Sequence, residues 1–258
     1  MKKIVLFATL VTSFALYSFK PITQPKNGSE IETTKADTKT KIIPISHATF
    51  IMEIKDLIIY LDPVGGAEAF TNQKDPNLIL ITDIHGDHLN IETLEAVIKP
   101  TTTIMAPQAV ADKLTEALKK QTIIISNGET EMYEHIKIEA IPMYNLRPEA
   151  LKFHSKGRGN GYVLNNNDER IYISGDTEDI PEMRNLKNID IAFVCMNLPY
   201  TMTVESATDA VLEFKPKEVI PYHYRGSDGF SDVNLFKKLV EAKNKSIKVT
   251  LLDWYPKN

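Results

Sequence analysis

From residue 42 onward, apolar positions come in short, dense runs separated by turn-forming residues. Residues 42–45, 49–54 and 57–61 are rich in Ile, Leu, Phe and Tyr, which suits strands better than helices. Residues 78–82 read as a further strand. Asn90 is placed to cap a helix running to about Ile98, and Pro100 stops it. A strand over 103–105 and a helix from Pro107 to about Lys119 come next. Strands are then predicted over 122–126, 131–133 and 136–142. In the second half, 161–164 and 170–174 pair as a hairpin around Asn165-Asn166-Asn167-Asp168. Strands over 190–195, 218–221 and 247–252 alternate with helices over 204–214 and 232–243. Many strands with helices interspersed imply an α/β chain, its sheets packed face to face and covered by helices. Periodicity alone does not order the layers.

Before residue 42 the pattern changes. Lys2 and Lys3 precede an apolar stretch that ends near Phe19, the form of a signal peptide. Thr9, Thr12 and Ser13 dilute that stretch, and it falls short of the roughly 20 apolar residues of a spanning helix. Residues 20–41, rich in Thr, Lys, Pro and Glu, read as a flexible leader. The expected organisation is a signal peptide over 1–19, a leader over 20–41 and one domain over 42–258. Such a protein is exported to the periplasm or secreted, with no stable membrane span after cleavage. Its pattern specifies no oligomeric state.

Composition narrows the partners. Of 258 residues, 43% are hydrophobic and 25% charged, as in an ordinary soluble globular protein. A net charge of −4 without a long basic run argues against nucleic acid and for a small-molecule partner. The single cysteine, Cys195, excludes an internal disulfide and cysteine-rich zinc sites. Its apolar neighbours, Ile191 to Met196, predict a buried structural thiol.

The chemistry concentrates at strand ends. Thr82-Asp83-Ile84-His85-Gly86-Asp87-His88 follows Leu78-Ile79-Leu80-Ile81 directly. Imidazoles and carboxylates there must be desolvated and then satisfied, and a divalent metal satisfies several at once. Side chains at i, i+2, i+4 and i+5 on a tight loop cannot all reach one ion, but they can divide between two. Three further polar groups follow apolar strands: Asn145 with His154, Asp176, and His223. Asp176 is of the right type to bridge two cations. Water on such ions is acidified toward neutrality, so no separate nucleophile is needed. His47 is balanced between a place at the site rim and a structural role. Arg147, Lys156 and Arg158 are either solvated loop charges or a pocket for a phosphate or carboxylate.

These segments resemble the metallo-β-lactamase-fold hydrolases over 42–258. The family's hallmark, His-x-His-x-Asp-His after a strand, stands here as Asp83-x-His85-x-Asp87-His88, with the first position changed. Ser174-Gly175-Asp176-Thr177 is similar to the segment of the bridging aspartate. Pro221-Tyr222-His223-Tyr224 is similar to the segment of the last histidine. Ile45 to Phe50 and Leu61-Asp62-Pro63 resemble the opening of the branch with ascorbate-6-phosphate lactonase and N-acylphosphatidylethanolamine phospholipase D.

The resemblance implies a four-layer αβ/βα sandwich of two mixed sheets flanked by helices. It implies a metal-dependent hydrolase acting on an ester, lactone or phosphodiester-type bond. It implies one or two Zn²⁺, with Mn²⁺ or Fe as alternatives. Asp87, His88, Asp176 and His223 would hold one ion, and His85 and Asp176, with Asp83, the other. Asn145 stands where the family usually presents a histidine, and His154 follows nine residues later. Asp87 and His154 are the catalytic candidates, and His47, Asn145, His154 and Arg158 the substrate candidates. Two rivals remain: a mono-iron oxidoreductase on the same scaffold, and a non-catalytic ligand-binding module.

Overall fold

The computed structural model describes residues 40–256. One mixed sheet holds six strands in the order β1 (Lys41–Ser46), β2 (Thr49–Ile54), β3 (Leu57–Leu61), β4 (Leu78–Leu80), β5 (Thr103–Ala106) and β6 (Thr122–Ile124). The first three are antiparallel, and β3 to β6 run parallel. The second sheet joins β7 (Thr130–Tyr133), β8 (Ile136–Met143), β9 (Gly159–Asn165), β10 (Arg170–Ile173), β11 (Ile191–Cys195) and β12 (Glu218–Tyr222). After β12 come a small hairpin of β13 (Arg225–Gly226) and β14 (Gly229–Phe230), and β15 (Lys248–Val249), which pairs with β12 at the second sheet's edge.

Alternation decides which face meets which layer. Phe50, Met52 and Ile54 of β2, and Leu57, Ile59 and Leu61 of β3, point into the core between the sheets. Ile51, Ile58 and Tyr60 point outward. That is the two-residue period of a strand. The inner layer is continuous across the sheets, with the rings of Phe50 and Phe193 stacked at 4.4 Å. The outer face of the first sheet is covered by α1 (Ile91–Val97), α2 (Gln108–Ala111) and α3 (Glu116–Lys119), through Leu94, Val97, Val110 and Leu118. The second sheet is covered by α4 (Pro181–Arg184), α5 (Val204–Phe214) and α6 (Val233–Lys243). Fully burying each such aliphatic side chain contributes about 1.5–3 kcal/mol. The layer order is that of the expected αβ/βα sandwich.

Local chemistry explains most boundaries. Asn90 caps α1 by accepting from Thr93 N, and Thr203 caps α5 by accepting from Ser206 N. Asp232 does the same for α6. The helix expected from Pro107 to Lys119 is two short ones. Thr115 accepts from Leu118 N and starts a second helix where the first would have continued. The strand expected over 247–252 narrows to β15, because the chain leaves the edge to bury Trp254 completely. At the other end, Lys41 opens β1 and Thr40 donates from its N and Oγ1 to Glu169, so the domain begins before residue 42. Residues 1–19, and the leader up to residue 39, lie outside the described residues. Among the described residues, no helix is long and apolar enough to cross a membrane.

Candidate metal centre

Strand ends deliver the polar residues to one shared edge. The loop over 82–88 leaves β4, the loop over 144–158 leaves β8, and Gly175-Asp176 follows β10. His223 follows β12, and His47 sits in the turn between β1 and β2. The sheets are joined here, since Asn160 N donates to Thr82 O at 2.9 Å. Gly175 has φ +60°, and a Cβ there would lie 2.5 Å from Met143 Sδ. Only glycine fits that turn, and the turn aims Asp176 inward. His47, Asp62 and His223 hold left-handed backbone angles of 57°, 44° and 47°. Such strain in side-chain-bearing residues clusters at functional sites.

Two poles form around Asp176. At the first, His88 Nε2 and His223 Nε2 lie 3.1 Å apart, with Asp87 Oδ2 3.4 Å from His223 Nε2. His47 Nε2 is 3.3 Å from the same Asp87 oxygen. At the second, His85 Nδ1 is 2.7 Å from Asp83 Oδ2, and His154 Nε2 is 3.9 Å from that oxygen. Asp176 spans both: Oδ1 lies 3.2 Å from His223 Nε2, and Oδ2 lies 3.2 Å from His154 Nε2 and 3.3 Å from His88 Nε2.

The donors fit cations better than they fit one another. His154 Nε2 and Asp176 Oδ1 are buried with no hydrogen-bond partner among the described residues. An unmet buried polar atom costs about 1–3 kcal/mol, so two of them within one cluster of imidazoles and carboxylates call for a ligand. Three ligand sets bring their atoms within 4.8 Å: His47, Asp87 and His223; Asp83, His85 and His154; His88, Asp176 and His223. Their nitrogen and oxygen donors suit Zn²⁺, Mn²⁺ or Fe.

The electrostatics agree. Burial opposes ionisation of Asp176, yet His223 and His88, with His154 close by, hold its carboxyl well below the usual range. Burial likewise opposes ionisation of Asp87, but hydrogen bonds from His223 and His47 hold it low. Asp83 is also lowered against burial, by His85, His88 and Arg158. Burial depresses the His47 imidazole despite the pull of Asp87. For His88 burial acts downward, and Asp176 and Asp62 overcome it and raise the imidazole well above its usual range. These carboxylates demand positive charge, which a bound cation supplies in place of protons.

A surrounding set of groups aims the histidines. Asp62, unmarked by the sequence reading as a site residue, accepts from His88 Nδ1 at 2.8 Å and from Thr82 N and Oγ1 at 2.7 and 2.6 Å. That fixes His88 with Nε2 inward, the usual arrangement behind a ligand histidine. The signal was present: Asp62 follows an apolar strand, as Asp176 does. His154 Nδ1 faces Tyr200 O at 3.1 Å, which turns its Nε2 toward Asp176. His47 Nδ1 is 2.6 Å from Tyr255 Oη, another partner the sequence did not mark.

Asn145 and Arg158, two of the expected substrate contacts, are engaged by groups of the protein itself. Asn145 Nδ2 donates to Ala150 O and Tyr200 O and lies 3.2 Å from His154 Nδ1, while its Oδ1 is buried with no hydrogen-bond partner among the described residues. It supports the loop from which His154 reaches the cluster. Arg158 is engaged by Asp83 and Phe153 O. The anion pocket expected from Arg147, Lys156 and Arg158 does not form, because Glu178, Glu182 and Asp83 pair with them in turn.

A sandwich of this layer order, with histidines and aspartates converging on its edge, defines a metallohydrolase of the metallo-β-lactamase fold. The chain belongs to the beta-lactamase superfamily: a model of the beta-lactamase superfamily domain matches residues 41–223. It is 31% identical over 214 residues to a UPF0173 metal-dependent hydrolase of Pyrococcus horikoshii, covering 79% of this chain and 93% of the relative. A crystal structure described as a metal-dependent hydrolase from Parabacteroides distasonis superposes with a TM-score of 0.75 at 38% identity, covering 84% of this chain and 94% of that one. Igni18, a metallo hydrolase from Ignicoccus hospitalis, shares the fold with a TM-score of 0.69 at 21% identity, covering 83% and 94%. The protein is a metal-dependent hydrolase of this family.

Proposed function

We propose that the protein hydrolyses an ester, lactone or phosphodiester-type bond in a small molecule, with one or two divalent cations held by the cluster. Zn²⁺ suits its mixed nitrogen and oxygen donors, and Mn²⁺ or Fe the carboxylate-rich pole. The observation that carries the reading is Asp176, whose carboxylate reaches both histidine poles, Oδ1 beside His223 and Oδ2 beside His88 and His154.

On this reading His88, Asp87, His223 and Asp176 hold one ion, and Asp83, His85, His154 and Asp176 the other. Bound there, the ions would act as Lewis acids and lower the pKa of coordinated water. The chain's own groups do the rest. Asp87 has a 43% exposed side chain and lines a cavity of about 280 Å³ that His85, His154 and Asp176 also line. It is the carboxylate placed to accept a hydrogen bond from the reacting water and orient it, with His47 Nε2 3.3 Å from the same carboxylate. His154 is fixed through Nδ1 and presents Nε2 to the same cavity. Phe153 and Tyr200 give the cavity an apolar side, which limits water around the scissile bond.

Elemental analysis of purified protein, followed by a screen of ester, lactone and phosphodiester substrates, tests the proposal. Turnover that depends on the metal and is lost in Asp176→Asn supports it. One iron per chain with oxygen consumption and no hydrolysis assigns the protein to the oxidoreductase reading instead. The site of action proposed is outside the cytoplasm, on the strength of Lys2, Lys3 and the apolar stretch after them. Cell fractionation with N-terminal sequencing checks it, and a full-length cytoplasmic chain would count against export.

A further inference from the structure

The cavity has a second charged feature besides the cluster. The chain contains five arginines, at 147, 158, 170, 184 and 225. The first four are each paired with a carboxylate. Arg225 has no ion pair among the described residues, yet it lines the cavity together with Phe153 and Tyr200. Its backbone is anchored, while the residue is exposed. Arg225 N donates to Tyr255 Oη at 3.1 Å, and its guanidinium lies 5.3 Å from the centre of the Tyr255 ring. Gly226 lies tight against Leu198, where a Cβ would come within 1.8 Å of Leu198 O, and Ser227 N donates to that oxygen at 3.1 Å. The same Tyr255 hydroxyl holds His47, and the Arg225 charge acts on the His47 imidazole. The guanidinium is therefore one tyrosine away from the cluster.

Asn197 adds a neutral donor. Its Oδ1 accepts from Thr201 Oγ1 at 2.5 Å, and the residue lines the cavity, which leaves its amide nitrogen for a ligand. The cavity thus offers reacting groups, an aromatic side and, next to His47, a guanidinium without an ion-pair partner among the described residues. A planar guanidinium prefers carboxylate or phosphate oxygens, which it can take two at a time. At about 280 Å³ the space is at the small end for ligand pockets.

We propose that Arg225 selects the substrate, and that the substrate is a small acid carrying a carboxylate or phosphate group beside the bond to be cut. The assignment rests on the hydrolytic reading above. The test compares metal-loaded wild type with Arg225→Met and Arg225→Lys on two esters, anionic mono-4-nitrophenyl succinate and neutral 4-nitrophenyl acetate. The readout is the ratio of kcat/KM for the anionic to the neutral ester. Loss of a charged hydrogen-bonding partner should lower that ratio on the order of 10- to 100-fold in Arg225→Met, with partial recovery in Arg225→Lys. Metal content measured alongside should equal that of wild type. A ratio unchanged in Arg225→Met overturns the proposal. If neither ester is turned over, the hydrolytic reading passes to the wider substrate screen, and calorimetric titration with succinate still decides for Arg225. Weakening of at least tenfold in Arg225→Met sustains the anion site, and equal affinity overturns it.

Discussion

Arg158 grips the carboxylate of Asp83 through two parallel contacts, Nε to Oδ1 at 3.1 Å and Nη2 to Oδ2 at 2.9 Å. Asp83 is fully buried and stands where the family's first histidine is expected. The exchange of imidazole for carboxylate is thus accompanied by a guanidinium that offsets the added negative charge. Removing Arg158 alone leaves a buried carboxylate without its guanidinium and with only imidazoles beside it. Arg158→Met should destabilise the metal-free protein by about 3 kcal/mol, the low end for a broken buried pair, since Arg158 keeps some contact with solvent. Added metal should restore much of the loss by taking over the charge. The double variant Asp83→Asn with Arg158→Met should be more stable than Arg158→Met alone. Thermal melts with and without metal check this, and equal losses in both states would contradict it.

That pair also shows where sequence reading stops. The framework was legible because it repeats a local rule: β2 and β3 alternate inward and outward residues, and α5 begins at a threonine cap. The four-residue α4 buries Met183 alone and leaves no period to detect. In the site, Asp83, His85, Asp87, His88, Asp176 and His223 share the signature of polar groups directly after an apolar strand. The structure brings all six together with His154 and His47. Arg158 looked free because its partner lies 75 positions earlier, and no local pattern reports such a pairing. Arg225 was unmarked for the converse reason, since lacking a partner is a property of the fold.

Asp62 gives a prediction about metal affinity that leaves every candidate ligand in place. As a carboxylate it accepts from His88 Nδ1 and raises the basicity of the nitrogen that faces the cluster. An asparagine keeps the shape and can still accept from Thr82 N, but it loses the charge. Asp62→Asn should weaken metal binding about 10- to 100-fold, the usual effect of losing such a partner. Titration against a competing chelator measures it. An affinity equal to wild type would show that His88 is oriented by something else.

Glu178 ties the loop that carries His154. Its buried carboxylate accepts from Leu146 N and Arg147 N at 2.8 and 2.9 Å and from Arg147 Nε at 2.6 Å. Arg147 in turn donates to Pro199 O and Thr201 O. Glu178→Ala strands these donors and should cost about 1–3 kcal/mol, concentrated in the 144–158 loop. Faster amide exchange and proteolysis within that loop, with the sheets still protected, is the expected result. Uniform exchange across the domain would mean that the loop does not open on its own.

Cys195 supplies a prediction with a definite pH window. The side chain is buried behind the site, with Sγ 3.5 Å from Thr177 O. Burial, reinforced by the Asp176 charge, pushes its thiol up to about 12. Only the thiolate attacks an alkylating reagent. The folded protein should therefore resist iodoacetamide at pH 8, whereas the denatured chain should react as an ordinary cysteine. The linkage has a sign as well. Between the ordinary thiol range and about 12, the folded protein keeps a proton that the unfolded chain has lost. Stability must then fall as pH rises through that window, and this contribution is absent below it. Comparing wild type with Cys195→Ala isolates the effect, because the variant has no thiol to titrate. Denaturation midpoints of the two should run parallel from pH 6 to 8 and converge or cross above the ordinary thiol range. Midpoints that stay parallel to pH 11, or rapid alkylation of the native protein, would place Cys195 in contact with solvent.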